Sequence, residues 1–499
     1  MTLGKLVLFI GIAAVILTAL LAIFKRSAIN NWLMSFLQNF CGALFIFSGW
    51  VKAVDPLGTA YKMEQYFDEF YTTFEGTWFS FIAPLFPVFS KYAIWFSVFM
   101  IVFEIVLGVM LLIGARKKIT AWAFFLLVGF FTVLTGFTFL TAYVPNGVNF
   151  FQFASWSAFN ENNMKVTDCG CFGDFIKLKP KVSFFKDVFL LIPALYFLFR
   201  HKDMHQLWTR AVRNGAIAVS TSVLLIYCWS NYIWDLPHMD FRPFKEGKDV
   251  RAARQAEEDA MAAVQITDWL LEHKETGEQK KVANEEYMGN LSEYMKSYSV
   301  VEQIKGKPAI EPSKISDFEI SDLEGNDLTD EILYSEDPLF LIVNYSLKGN
   351  PSVNTEIVKD SIFSTDTVVV LNTATRDMDT QVVQRFDRLV EREVRTINQN
   401  WKKSYIKKHK EKLKPFTDAA KNAGYRVVMA IGKSDPEAIR DFDEKTSLGL
   451  EYGMADDILL KTIVRSNPGV VLWRDGVILN KWHIRKLPEF EEVKSKYLN

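Results

Sequence analysis

The 499-residue sequence predicts a polytopic α-helical membrane bundle of about six helices followed by an α/β exoplasmic domain. Three observations predict it. Six long apolar stretches crowd the first 240 residues. Charge is divided unevenly, with 18 basic and 13 acidic side chains in residues 1–240 against 39 and 45 in residues 241–499. Strand-like apolar runs alternating with helical stretches begin only after residue 310. A single soluble globule is excluded. A net charge of −1 also gives no bulk attraction to nucleic acid.

A helix rising ~1.5 Å per residue needs about 20 apolar residues to cross ~30 Å of hydrocarbon. Leu3–Phe24, Trp32–Val51, Ile94–Ala115, Ile119–Val144, Phe184–Phe199 and Ala216–Trp234 meet or approach that length. The first reads as an uncleaved span. It is too long for a signal-peptide core, lacks a strongly basic start, and is followed by Lys25–Arg26 instead of a small-residue cleavage site. Pro193 predicts a kink in the fifth. Lys25–Arg26, Arg116–Lys118 and Arg200–Arg213 fall in alternate loops, so the positive-inside rule assigns them to the cytoplasm. Loops 52–93 and 145–183, with everything after Trp234, then lie outside, which in a bacterium means the periplasm of a multi-pass inner-membrane protein.

Few ionisable residues interrupt the spans. Glu104 stands in the middle of the third, where a carboxylate is costly unless protonated, paired or facing a polar cavity. It reads either as a proton-relay or ligand-binding acid or as a hydrogen-bonded structural residue. Lys52 and Asp55 close the second span, and Lys186 and Asp187 open the fifth. Such positions usually reach the interface. His201 and His205 read as a solvated helix end, because no second pair faces them for a transmembrane haem. Apart from Glu104 and a few hydroxyls such as Thr132, Thr135 and Thr138, the spans offer too little polarity for a transporter.

Of the four cysteines, Cys41 and Cys228 belong to spans. The other two stand in Asp168-Cys169-Gly170-Cys171-Phe172-Gly173-Asp174, where Gly and Asp predict a tight turn. Two thiols one residue apart can form a strained, labile disulfide or exchange with a partner. They can also simply be buried in the turn. Two outside cysteines fall short of the four ligands of a structural metal site, so no metal is assigned.

Known families enter at these residues. Phe47-Ser48-Gly49-Trp50-Val51-Lys52-Ala53-Val54-Asp55-Pro56 resembles the second-helix signature of the DoxX-like superfamily, and Glu104 falls where that superfamily often has an acid. The Asp168–Gly173 string is similar to the loop of its MauE branch, named for methylamine utilisation. The resemblance covers roughly residues 30–200. It implies a four-helix membrane core engaged in membrane thiol redox chemistry or the maturation of periplasmic enzymes.

Residues 245–310 alternate charge with Ala, Met and Leu, which predicts a helical connector. Beyond them Asp317–Leu328 reads as a hairpin around Glu324–Asp327. Leu339–Tyr345, Thr367–Leu371, Arg426–Ile431, Gly469–Trp473 and Val477–Asn480 read as strands, the last two joined by Asp475–Gly476. A basic helical stretch spans Trp401–Lys414. The order resembles a membrane-anchored periplasmic thioredoxin-like domain over 311–499, with Pro468 of Asn467-Pro468-Gly469 at its cis-proline position. Tyr345-Ser346-Leu347-Lys348 stands where that family carries Cys-x-x-Cys, and no cysteine follows Cys228. The domain is therefore expected to bind instead of exchanging thiols.

The expected division is a first transmembrane helix (1–30), the DoxX/MauE-like core (31–200), a sixth helix (201–240), the connector (241–310) and the thioredoxin-like domain (311–499). Cys169 and Cys171 are the expected catalytic pair, making the chain a membrane thiol–disulfide oxidoreductase component. Lys52, Glu104, Asp55 and Asp187 are the polar residues of its core. Its partners are membrane lipid and a periplasmic client or redox protein. A quinone is the cofactor that location and chemistry allow, although no motif shows one. The alternative is a non-enzymatic scaffold or assembly factor that grips a periplasmic partner, with Cys-Gly-Cys purely structural.

Overall fold

Among the described residues, six helices are long and apolar enough to cross a membrane. The computed structural model describes residues 2–166, 168–371 and 378–498. These fall into two units, Met1–Phe318 with Lys461–Leu487, and Glu319–Leu460 with Pro488–Asn499.

The first unit begins with α1 (Leu3–Phe24) and α2 (Trp32–Val54), followed by α3 (Pro56–Phe74) and α4 (Leu85–Lys91), which fold up the connection to α5 (Ala93–Ile113). Then come α6 (Lys117–Thr141), α7 (Pro180–Arg200) and α8 (Arg210–Trp229). Local chemistry sets the starts: Asn31, Asp55 and Thr209 each accept a backbone N–H in the first turn of α2, α3 and α8. Gly114, at φ +64°, ends α5 in the left-handed conformation. Helix α7 runs unbroken through Pro193.

Helices α2 and α5 approach most closely where side chains vanish. A Cβ at Gly108 would lie 2.8 Å from the Gly42 carbonyl oxygen. Without hydrophobic drive between helices in lipid, such contacts are a main source of association. Leu8, Ile16, Phe189 and Val219 remain exposed on α1, α7 and α8, as lipid-facing residues should.

After α9 (Val250–Ala262) the structure departs from the expected helical connector. Residues 266–305 form an antiparallel sheet in the order β2-β1-β3, from β1 (Ile266–His273), β2 (Gln279–Ala283) and β3 (Tyr298–Lys305), with two short helices between β2 and β3. An antiparallel sheet with one wet face shows the same charged–apolar alternation as a surface helix. Packing of Leu271, Val282 and Tyr287 decides for strand.

In the second unit β4 (Ser321–Asp322) precedes β5 (Leu339–Asn344), and every residue of β5 is buried. A continuous apolar run of this kind suits a parallel strand covered on both faces. The strands β6 (Gly349–Leu371) and β7 (Met378–Trp401) follow. Then β8 (Arg426–Gly432) pairs in parallel with β5 and with β9 (Glu451–Ala455), which pairs antiparallel with β4. The expected strand Thr367–Leu371 is the end of β6, paired with Met378–Val382 of β7 in a separate two-stranded ribbon. Its partner is the nearest strand in sequence, which shortens the loop that must be closed. In the first unit, β10 (Gly469–Arg474) and β11 (Val477–His483) form the expected hairpin, turning through Asp475 and Gly476 at φ +47° and +77°.

Candidate functional site

One cavity of about 80 Å³ gathers the chemistry of the first unit. Cys169 and Cys171 line it together with Lys52, Glu104, Lys186 and Asp187. Side chains from α2, α3, α5, α6 and α7 complete its wall.

The loop is shaped by its glycines. Gly170 and Gly173 sit at φ +59° and +51°, a region glycine enters without steric cost. Asp168 accepts the Gly170 N–H at 3.2 Å and pairs with Lys62 of α3 at 2.9 Å. Ser48 of α2 donates to the Cys171 carbonyl at 2.9 Å. The turn is thus tied to two helices, and both cysteines are free thiols.

Two ion pairs face the thiols. Lys52 Nζ lies 2.5 Å from Glu104 Oε2, with side chains only 8% and 4% exposed. Lys186 Nζ lies 2.5 Å from Asp187 Oδ1, and Asp187 Oδ2 accepts from the Thr135 hydroxyl at 3.0 Å. The ammonium groups also stand over aromatic rings, Lys52 over Phe131 and Lys186 over Phe172. The expectation that Lys52 and Lys186 reach outward to the interface is overturned. Both turn inward, Lys52 to Glu104 across the bundle and Lys186 to the adjacent Asp187, because a partner carboxylate offers what water would otherwise supply.

Burial pushes the Cys169 thiol up to about 12, and neighbouring Cys171 adds to the rise. Ser183 and Tyr66, placed against the Cys169 sulfur, oppose it. Burial raises Cys171 as well; Lys186 opposes the rise, Asp187 adds to it, and Lys52 opposes it in turn. Both thiols are therefore protonated at neutral pH.

Asp55 does not line the cavity. It caps α3 through the Gly58 N–H at 3.1 Å and accepts from Arg465 Nε at 2.8 Å. Buried Arg465 also reaches Asp174, three residues beyond Cys171, at 3.5 Å, and stacks over Tyr61. Three residues after Arg465, the Asn467–Pro468 peptide bond is cis. Arg465 thus ties the start of α3 to the end of the thiol loop.

His205 is buried, unlike a solvated helix end: its Nε2 lies 2.9 Å from the Leu112 carbonyl oxygen, and its N–H donates to Gln38. It serves the open carbonyls at the end of α5. Among the described residues no group of three or more His, Cys, Asp or Glu side chains could hold a metal ion.

Sequence reading missed Lys62, Tyr66 and the role of Lys186. Lys62 and Tyr66 carried a usable signal, since their i,i+4 spacing places both on one face of α3. Tyr66 accepts from Thr138 of α6 at 3.1 Å, and that link across 72 residues left no local trace.

Residues 30–146 match the family model of methylamine utilisation protein MauE. That segment is MauE-like. It includes α2 to α6, and so Ser48, Lys52, Glu104 and Thr135, and it ends before Cys169. No curated protein and no solved structure matches the chain. The six apolar helices and the MauE-like segment make it a multi-pass membrane protein.

Proposed function

We propose that this chain is an inner-membrane component that exchanges disulfides or electrons between Cys169–Cys171 and a periplasmic client. The observation that carries the reading is the convergence of a free dithiol with two buried ion pairs in one cavity. An inert turn has no need of two buried ammonium groups lining its cavity. Oxidised Cys-Gly-Cys would form a small strained ring, and a strained disulfide passes readily to a client. In the reduced form, Lys186 and Lys52 favour the Cys171 thiolate that attacks a client disulfide.

The C-terminal part, read as a thioredoxin-like domain without redox cysteines, supplies client binding. The matching family's description makes an enzyme of methylamine utilisation one class of client. The scaffold reading has one observation in its favour, the burial that keeps both thiols protonated.

Thiol trapping separates the two. Redox chemistry predicts that maleimide labelling at Cys169 and Cys171 changes with the growth redox state, and that Cys169→Ser traps a mixed disulfide on Cys171. Labelling that never changes, with a silent Cys169→Ser, leaves the scaffold. Alkaline phosphatase fused at Asp174 and after the final residue should be active at both sites. Activity at only one sinks the shared-compartment arrangement.

A further inference from the structure

The dithiol cavity has an apolar neighbour. Helices α5 and α6 also line a groove of about 550 Å³, walled by Phe103, Trp122, Leu126 and Phe130 and closed at one end by Lys118. Trp122, Leu126 and Phe130 are exposed, so in a bilayer the groove opens to lipid. Met100 lines both spaces. On either side of it the linings interleave along the helices. Phe103 belongs to the groove and Glu104 to the cavity, and Phe130 and Phe131 divide in the same way. The Met100 side chain is thus a wall common to the lipid-facing groove and the thiol cavity. Methionine, unbranched and flexible, is the easiest such wall to move aside.

The occupant must be long, apolar and slender, and must carry at one end a group that accepts two electrons and hydrogen bonds. From Lys118 to Phe130 the groove follows α6 for ~18 Å at ~1.5 Å per residue, enough for several isoprene units. A phospholipid chain would fit the groove but brings nothing for a dithiol to react with.

We propose that the groove admits an isoprenoid quinone from the bilayer, its tail along α5 and α6 and its ring passing Met100 to oxidise the Cys169–Cys171 dithiol. This rests on the redox reading above. In the step, two S–H bonds break and one S–S bond forms. The quinone takes the two electrons and two protons and leaves as the quinol. The ammonium groups of Lys52 and Lys186 are donors for the ring oxygens.

The test uses the full-length protein, prereduced, in nanodiscs, with a decyl-tailed ubiquinone analogue and a tail-less benzoquinone as oxidants. Quinol absorbance and free thiol are followed together. Leu126→Trp, on the exposed surface where the tail would lie, should raise the tail-less to tailed rate ratio at least tenfold, and Met100→Trp, on the path of the ring, should slow both quinones at least tenfold. An unchanged ratio in Leu126→Trp or wild-type rates in Met100→Trp overturns the proposal. An aromatic disulfide reagent serves as a quinone-independent probe of the dithiol. Exchange with that reagent but no oxidation by either quinone sinks the groove inference alone. Failure of both reactions sinks the redox reading with it.

Discussion

Replacing either member of the Lys52–Glu104 pair by methionine should destabilise the protein far more than replacing both. The two charges are 2.5 Å apart with side chains 8% and 4% exposed. At an effective dielectric of ~20 their attraction is ~7 kcal/mol, most of which offsets the desolvation of two ions. Removing one partner leaves the other buried and uncompensated, at about 3–5 kcal/mol. Removing both with apolar side chains of similar volume is close to neutral. Lys52→Met and Glu104→Met should therefore each lose about 3–5 kcal/mol, and the double variant should recover most of it. Thermal and dodecyl-sulfate unfolding of the purified protein in mild detergent micelles measures all four corners of the cycle. The reasoning is refuted if the double variant loses as much as the two single variants together, or if either single variant unfolds like wild type.

Three further outcomes follow from the same structure. Arg465→Met should cost up to about 3–5 kcal/mol by leaving the partly buried Asp55 without its guanidinium, and Asp55→Asn in that background should restore part of it, read by the same unfolding assays. With Cys41 and Cys228 replaced, iodoacetamide labelling of Cys169 should rise about tenfold per pH unit from pH 7 to pH 10 in the folded protein. In the denatured chain it should level off near pH 9, because burial raises the folded thiol to about 12 against ~8.5 unfolded. The folded form holds its proton longer, so that thiol's contribution to stability is full below pH ~8.5 and is lost as pH rises toward 12. A folded-state plateau below pH 9 contradicts this. Gly108→Leu should cost at least about 1–3 kcal/mol, because its side chain meets the Gly42 backbone, whereas Gly129→Leu, with open space at that Cβ, should unfold like wild type.

The six spans were legible because length and apolarity are local properties. The Cys-Gly-Cys turn was legible too, since Gly170 and Gly173 mark left-handed positions in the sequence itself. Lys52, Glu104, Cys169 and Asp187 stood out one at a time for the same reason: a polar residue in or beside an apolar span is conspicuous. Their meeting was not legible. It depends on how α2, α5 and α7 are rotated about their axes, and nothing along one helix records the phase of another. That is why Lys52 and Lys186 read as outward-reaching ends, and why His205 read as solvated. The strands at 266–305 escaped for a related reason, since an alternation of charged and apolar residues suits a wet helix or a half-covered sheet until packing chooses. Sequence alone determined a membrane protein with a paired thiol outside its spans. Only the tertiary structure decided that the buried Lys52–Glu104 pair and an Asp187 held by Thr135 attend those thiols, because contacts across 52 residues are set by packing, not by neighbours in the chain.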